Sequence, residues 1–329
     1  MISIDKLNFL LIILSFVLAC FLPFELFLFS YAFFGPLHYL TETNWIRDKK
    51  YFVDNTHWKY IVFISAIIYS LPYIFSLPFW SHLLDESTIS FFTKNLVKYT
   101  NMLLLFVLVS AISSAFFKTY KAFIISFMFT LGFSFWLYTT DIYILILGLL
   151  LPTIIHVYVF TILFMIYGIR KEKNTFGIVN VALVLLLPIS LFFIDLDFFS
   201  YRFSDIIKAN YIDNNFHVLN ANLANIFGVY EDLKFFFYEK IDLKIQIFIA
   251  FAYLYHYLNW FSKTTIIGWH KQLNRKKTII IFSVWIVLLA AYYYDYRLGL
   301  ILSIFFSISH VMFEFPLNII TIKQIFRLK

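Results

Sequence analysis

Residues 142–169 read IYILILGLLLPTIIHVYVFTILFMIYGI, twenty-eight residues without one Asp, Glu, Lys or Arg. At 1.5 Å per residue, about 20 such residues cross the hydrocarbon core of a bilayer. An uncharged run of this length reads as a membrane span, and His156 sits in its middle. The rest of the 329-residue chain agrees: 62% of it is hydrophobic and only 14% charged, against about 45–50% and about 25% in soluble domains. Forty-four Phe and 23 Tyr would aggregate if a soluble fold left them exposed. The fold class is therefore all-α, a polytopic transmembrane helical bundle forming one integral membrane domain over residues 1–329. The single cysteine, Cys20, excludes an internal disulfide and a cysteine-based zinc site.

Windows of about 20 residues give ten spans, at 7–22, 24–43, 59–80, 97–117, 122–138, 142–169, 177–194, 246–264, 278–294 and 298–322. The first two share one apolar run broken by Pro23 and Glu25, so nine spans is the alternative count. Lys118 and Lys121 split the run 97–138. Alternate loops differ in charge. One set carries Lys6; Arg47, Lys49 and Lys50; Lys118 and Lys121; Arg170, Lys171 and Lys173; Lys263, Lys271 and Arg275 to Lys277; and Lys323, Arg327 and Lys329. The other carries Glu25, Asp85, Glu86, Asp141, the mixed 195–245 segment and Asp295 beside Arg297. Basic residues mark the cytoplasmic face, which places both termini in the cytoplasm of a bacterial inner membrane. With nine spans Lys6 and the 47–50 loop would fall on opposite sides, so ten fits better. Val17-Leu18-Ala19-Cys20 has the outline of a lipoprotein signal, but Leu18 fits that pattern poorly and the segment reads as a retained span.

The net charge of +7 lies in short loops between apolar runs, which is a topology signal and not a nucleic-acid face. Neither GxxxxGK[ST] nor GxGxxG occurs, so no nucleotide cradle is expected. The one long hydrophilic insert, 195–245, is Asn-rich, and its Phe235-Phe236-Phe237-Tyr238 run has the composition of an interfacial aromatic segment.

Ionisable residues inside spans are costly and mark function. Four of the eight histidines, His38, His156, His256 and His310, fall in the second, sixth, eighth and tenth spans. Counted to the next basic residue on the cytoplasmic side, they lie nine, fourteen, seven and thirteen residues away, roughly 10–21 Å along a helix. One depth band on four helices predicts one shared site. His57, His82, His217 and His270 fall in loops or at interfaces. Glu42 follows His38, and Glu314 follows His310, by four residues, so each acid shares a helix face with its histidine. Such a carboxylate ligates the same ion or holds the imidazole N–H. Histidine and carboxylate without cysteine suit iron, manganese or zinc.

Three stretches resemble the Brp/Blh family of membrane β-carotene dioxygenases. Gly35-Pro36-Leu37-His38-Tyr39-Leu40-Thr41-Glu42 is similar to the family's G-x-P-H segment with an acid four residues on, its Pro displaced by one position. Tyr253-Leu254-Tyr255-His256-Tyr257-Leu258-Asn259-Trp260-Phe261-Ser262-Lys263 resembles the aromatic histidine helix that runs into a basic loop. Ser309-His310-Val311-Met312-Phe313-Glu314-Phe315 is similar to the last helix, and Ile154-Ile155-His156 stands for the second histidine segment. Trp260 replaces the second histidine of the penultimate motif, Val157-Tyr158 replaces the run after His156, and the acids are Glu where the family has Asp. The resemblance implies a non-haem Fe2+ centre held by His38, His156, His256 and His310, with Glu42 and Glu314 catalytic. It further implies dioxygen as co-substrate and central cleavage of a lipophilic polyene, β-carotene, to retinal.

Other function classes stay open at this stage. A metal enzyme acting on another lipid would use the same residues, although the H-x-x-H-H boxes of desaturases are absent. A transporter also places His and Glu inside helices, and a subunit of an envelope complex would dock through 195–245.

Overall fold

The computed structural model describes residues 4–327 except 50–55, 117–119, 138–139, 173, 197–201 and 231. Lys50, Lys118, Lys173 and Lys329, which entered the charge pattern, lie outside the described residues. Every regular element among the described residues is helical. The principal helices are α1 (Ile4–Phe21), α2 (Pro23–Lys49), α3 (Thr56–Phe75), α4 (Val97–Phe116), α5 (Tyr120–Leu137), α6 (Asp141–Glu172), α7 (Thr175–Ser190), α8 (Asp205–Asp213), α9 (His217–Ile226), α10 (Lys240–Ser262), α11 (Arg275–Tyr294) and α12 (Tyr296–Arg327).

Each of the ten apolar windows falls mainly on one of these helices, 59–80 running past the end of α3 at Phe75 and 177–194 past the end of α7 at Ser190. Among the described residues, six helical runs are long and apolar enough to cross a membrane: Ile4–Phe21, Trp58–Phe75, Glu86–Ser113, Asp141–Glu172, Arg275–Tyr294 and Tyr296–Arg327. Helices α2 and α10 are not among them, although they are 27 and 23 residues long. Their polar content is the reason: α2 carries Glu25, His38, Glu42 and Asn44, and α10 carries Asp242, Lys244, Gln246, His256 and Asn259. All of these except Glu25 and Lys244 are buried.

Pro23, at the first position of α2, separates it from α1, as a residue without an N–H does best at a helix start. In α6 the segment Ile144–Phe160 is π-helical and is broken at Thr153 (φ −112°, ψ −106°), directly after Pro152. Proline removes one backbone donor and clashes with the preceding turn, and π-type turns concentrate at functional positions. His156 follows this break within one turn.

Contacts within the chain group into two units. The first holds residues 1–38 and 154–270. There α1 packs on α10 and α7, the Thr161–Glu172 part of α6 packs on α7, and α9 packs on α10. Polar ties fix these helices. Asn180 Nδ2 on α7 donates to the Asp5 carbonyl on α1 at 2.9 Å. Ser262 Oγ on α10 donates to Asn8 Oδ1 on α1 at 3.1 Å. Gln246 on α10 accepts from Tyr211 Oη at 2.6 Å and donates to the Pro23 carbonyl at 3.1 Å.

The insert belongs to this unit and is ordered by its aromatics. Phe235 and Phe237 turn inward, 5.4 and 5.9 Å between ring centres from Tyr211, while Phe236 stays exposed. The segment read as interfacial thus alternates, two rings packing on buried Tyr211 and one outside. Asp242, fully buried, pins the loop before α10 by accepting from Tyr230 Oη at 3.0 Å and from the Phe236 N–H at 2.9 Å.

The second unit holds residues 39–153 and 271–327. Here α12 packs on α11, α3 and α4, and α4 packs on α3 and α5. Trp58 Nε1 donates to Ser110 Oγ at 3.3 Å across α3 and α4. The α11–α12 hairpin is closed by Asp295, whose carboxylate accepts the Leu298 N–H at 2.7 Å.

Candidate metal centre

Within the first unit, α2, α6 and α10 bring three histidines together. His38 and His256 face each other through their Nε2 atoms at 3.0 Å, with ring centres 4.7 Å apart. His156 packs its ring 5.1 Å from that of His256. The three side chains expose 1, 2 and 7% of their surface in chain order, so water does not solvate them. On α12, His310 is 2% exposed. One ligand nitrogen from each of His38, His156 and His256 lies within 4.8 Å of those of the other two. Three buried histidines of the first unit therefore lie close together and are able to bind a metal ion.

Imidazole tautomers decide whether such a cluster is ready for a cation. His310 Nδ1 contacts the Ser307 carbonyl. A carbonyl only accepts, so Nδ1 carries the proton and Nε2 keeps its lone pair. His256 Nδ1 lies 2.9 Å from Thr161 Oγ1, and the Thr161 hydroxyl donates to the Val157 carbonyl at 2.9 Å. With its proton committed, Thr161 accepts from Nδ1–H, which leaves His256 Nε2 as the acceptor pointing at His38. A ring that donates one N–H to a fixed oxygen and presents the other nitrogen is the usual state of a metal ligand.

Aromatic rings wall the cluster. Tyr257 and Trp260 lie 5.3 and 5.6 Å from the His38 ring, the latter edge-on at 81°. Trp260, which stands in place of a motif histidine, stacks in turn near-parallel on Trp269 at 6.1 Å. In the second unit Tyr39 stacks on His310 at 4.5 Å.

Glu42 and Glu314 are each 2% exposed and interact electrostatically with each other. Asn318, one turn beyond Glu314, donates its Nδ2 to Glu314 Oε2 at 3.5 Å. The two acids that follow His38 and His310 by one turn thus neighbour one another as a buried carboxylate pair.

The remaining histidines lie elsewhere. His82 and His270 are exposed, and His270 Nδ1 bonds the Thr264 carbonyl at 2.9 Å. His217, on α9 of the insert, is half-buried, and burial holds its pKa below the usual imidazole value. The side chain of His57 lies outside the described residues. Sequence reading missed Thr161, Ser307 and the role of Trp260. Thr161 had one visible signal: it is a polar side chain inside the uncharged run 142–169, five residues after His156.

No family model, curated protein or solved structure matches the chain.

Proposed function

We propose that the chain is a membrane-embedded metal-dependent oxygenase acting on a lipophilic polyene, with a non-haem iron ion held by His38, His156, His256 and His310. The observation that carries the reading is the buried cluster of His38, His156 and His256, in which His256 gives Nδ1–H to Thr161 and turns Nε2 to His38; in the second unit His310 likewise gives Nδ1–H to the Ser307 carbonyl. Imidazole donors without thiolate suit iron, and four of them leave positions open on an ion that takes six ligands. Bound iron would supply the electron transfer that lets dioxygen attack a carbon–carbon double bond.

The residues themselves do the rest. Their burial strips water from the site, so a ligand reaching it comes from an apolar phase. Tyr257 and Trp260 offer flat apolar faces beside His38, as a conjugated substrate requires. Glu42 and Glu314, one turn from His38 and His310, hold and move protons near the ligands. A β-carotene-like substrate, retinal as product and dioxygen as co-substrate rest on the three motif resemblances. Expression in a β-carotene-producing host, followed by pigment extraction, tests them: retinal appears if the reading holds, and unchanged β-carotene overturns it.

Carboxylates that act through a ligand are graded in effect. Replacing Glu42 or Glu314 by Gln is expected to lower turnover about 10–100-fold while metal content persists, as read by parallel activity and metal assays. Loss of all metal from either variant would make that acid a ligand.

The topology that accompanies this function is ten spans with cytoplasmic termini and 195–245 on the outer face, from the charge asymmetry of the loops. Reporter fusions near residue 220 and at the C-terminus are expected to report opposite sides; the same side for both would refute it.

A further inference from the structure

We infer that Thr161 is the positioning residue of the proposed centre, the group that sets the tautomer and aim of His256. This rests on the metal-centre reading and adds to it a residue that no motif contains. The chain of contacts is short and each link has one direction. The Val157 carbonyl accepts the Thr161 hydroxyl at 2.9 Å, a common i−4 bond for threonine in a helix. The Thr161 oxygen is then an acceptor, and His256 Nδ1 stands 2.9 Å from it. Thr161 is 3% and His256 7% exposed, so water does not compete for either atom. The result is one tautomer of His256, with Nε2 unprotonated and turned toward His38 Nε2 at 3.0 Å.

The fold also explains why this residue sits there. Thr161 begins the regular α-helical part of α6, directly after the π-helical segment that carries His156. The π-helical spacing, more than 3.6 residues per turn, puts His156 and Thr161, five apart, close to one face. The same face of α6 thereby supplies one ring to the cluster and the acceptor that orients another.

The test uses the full-length purified protein and Co2+ as a spectroscopic probe, titrated into the unaltered chain and into T161V, T161A and T161S. Valine keeps the shape and removes the acceptor; serine restores it. T161V and T161A are expected to bind Co2+ about 10–100-fold more weakly, the usual cost of losing a ligand's oxygen partner, with altered ligand-field bands. T161S is expected to recover both affinity and spectrum. Circular dichroism checks that helix content is unchanged, and T161A, which relieves rather than adds bulk, covers the case in which valine fails to fold. Equal affinity and an identical spectrum in T161V and T161A would overturn the inference while leaving the metal centre intact. An unaltered chain that takes up no Co2+ would overturn the centre itself, and the role of Thr161 with it.

Discussion

Alanine at His256 or at His310 is expected to abolish product formation and to release the metal, while the protein still inserts and keeps its helix content. A lost imidazole removes a coordinate bond and leaves its former partners, the Thr161 oxygen or the Ser307 carbonyl, without their N–H donor. The helices themselves are held by packing along their lengths and by ties such as Ser262–Asn8, which neither substitution touches. His82→Ala is the control: that side chain is exposed, and activity and metal content should be unchanged. Activity and metal measured on the same preparations decide the matter. Full turnover in both ligand variants would return the histidines to a packing role.

The second large effect is expected at Gly299, in the first turn of α12. A Cβ there would stand 2.3 Å from Tyr292 Cγ and 2.7 Å from Tyr292 Cα, and the second of these is backbone that does not swing aside. The Tyr292 ring is held in turn, its hydroxyl 2.7 Å from Ser303 Oγ. Gly299→Ala therefore forces α11 and α12 apart at their hairpin, at a cost typical of overpacking, about 1–3 kcal/mol. Gly132→Ala, where nothing lies within 4 Å, should be close to neutral. Thermal unfolding in detergent compares the two. A G299A midpoint no lower than that of G132A would contradict the close approach.

Helix positions were legible because the bilayer imposes a simple rule, about 20 apolar residues per crossing, and 142–169 or 278–294 obey it without interruption. The rule weakens where function intrudes. The windows 24–43 and 246–264 do form helices, yet α2 and α10 are too polar to be counted with the six apolar ones, because they carry His38, Glu42, His256 and Asn259 to buried positions. Lipid-facing helices announce themselves by hydropathy, whereas a buried one is free to be polar if its neighbours satisfy it.

The four histidines could be singled out from depth alone, counted in residues to the nearest basic loop. Their partners could not. Thr161 pairs with His256 across 95 residues, a contact that only the packing of α6 against α10 creates. Ser307 acts through its carbonyl, which every residue possesses, so no side-chain pattern marks it. The insert shows a third kind of hidden order. Phe235-Phe236-Phe237 has the composition of a membrane-surface segment, but alternate rings pack on Tyr211 because Asp242 fixes the loop by two hydrogen bonds.

Metal analysis of the purified full-length protein, beside a variant with His38, His156, His256 and His310 all changed to alanine, tests the central claim most directly. The account predicts near-stoichiometric iron in the unaltered protein and none in the variant. Iron absent from the unaltered protein even after anaerobic loading with Fe2+, or retained in full by the variant, would contradict it.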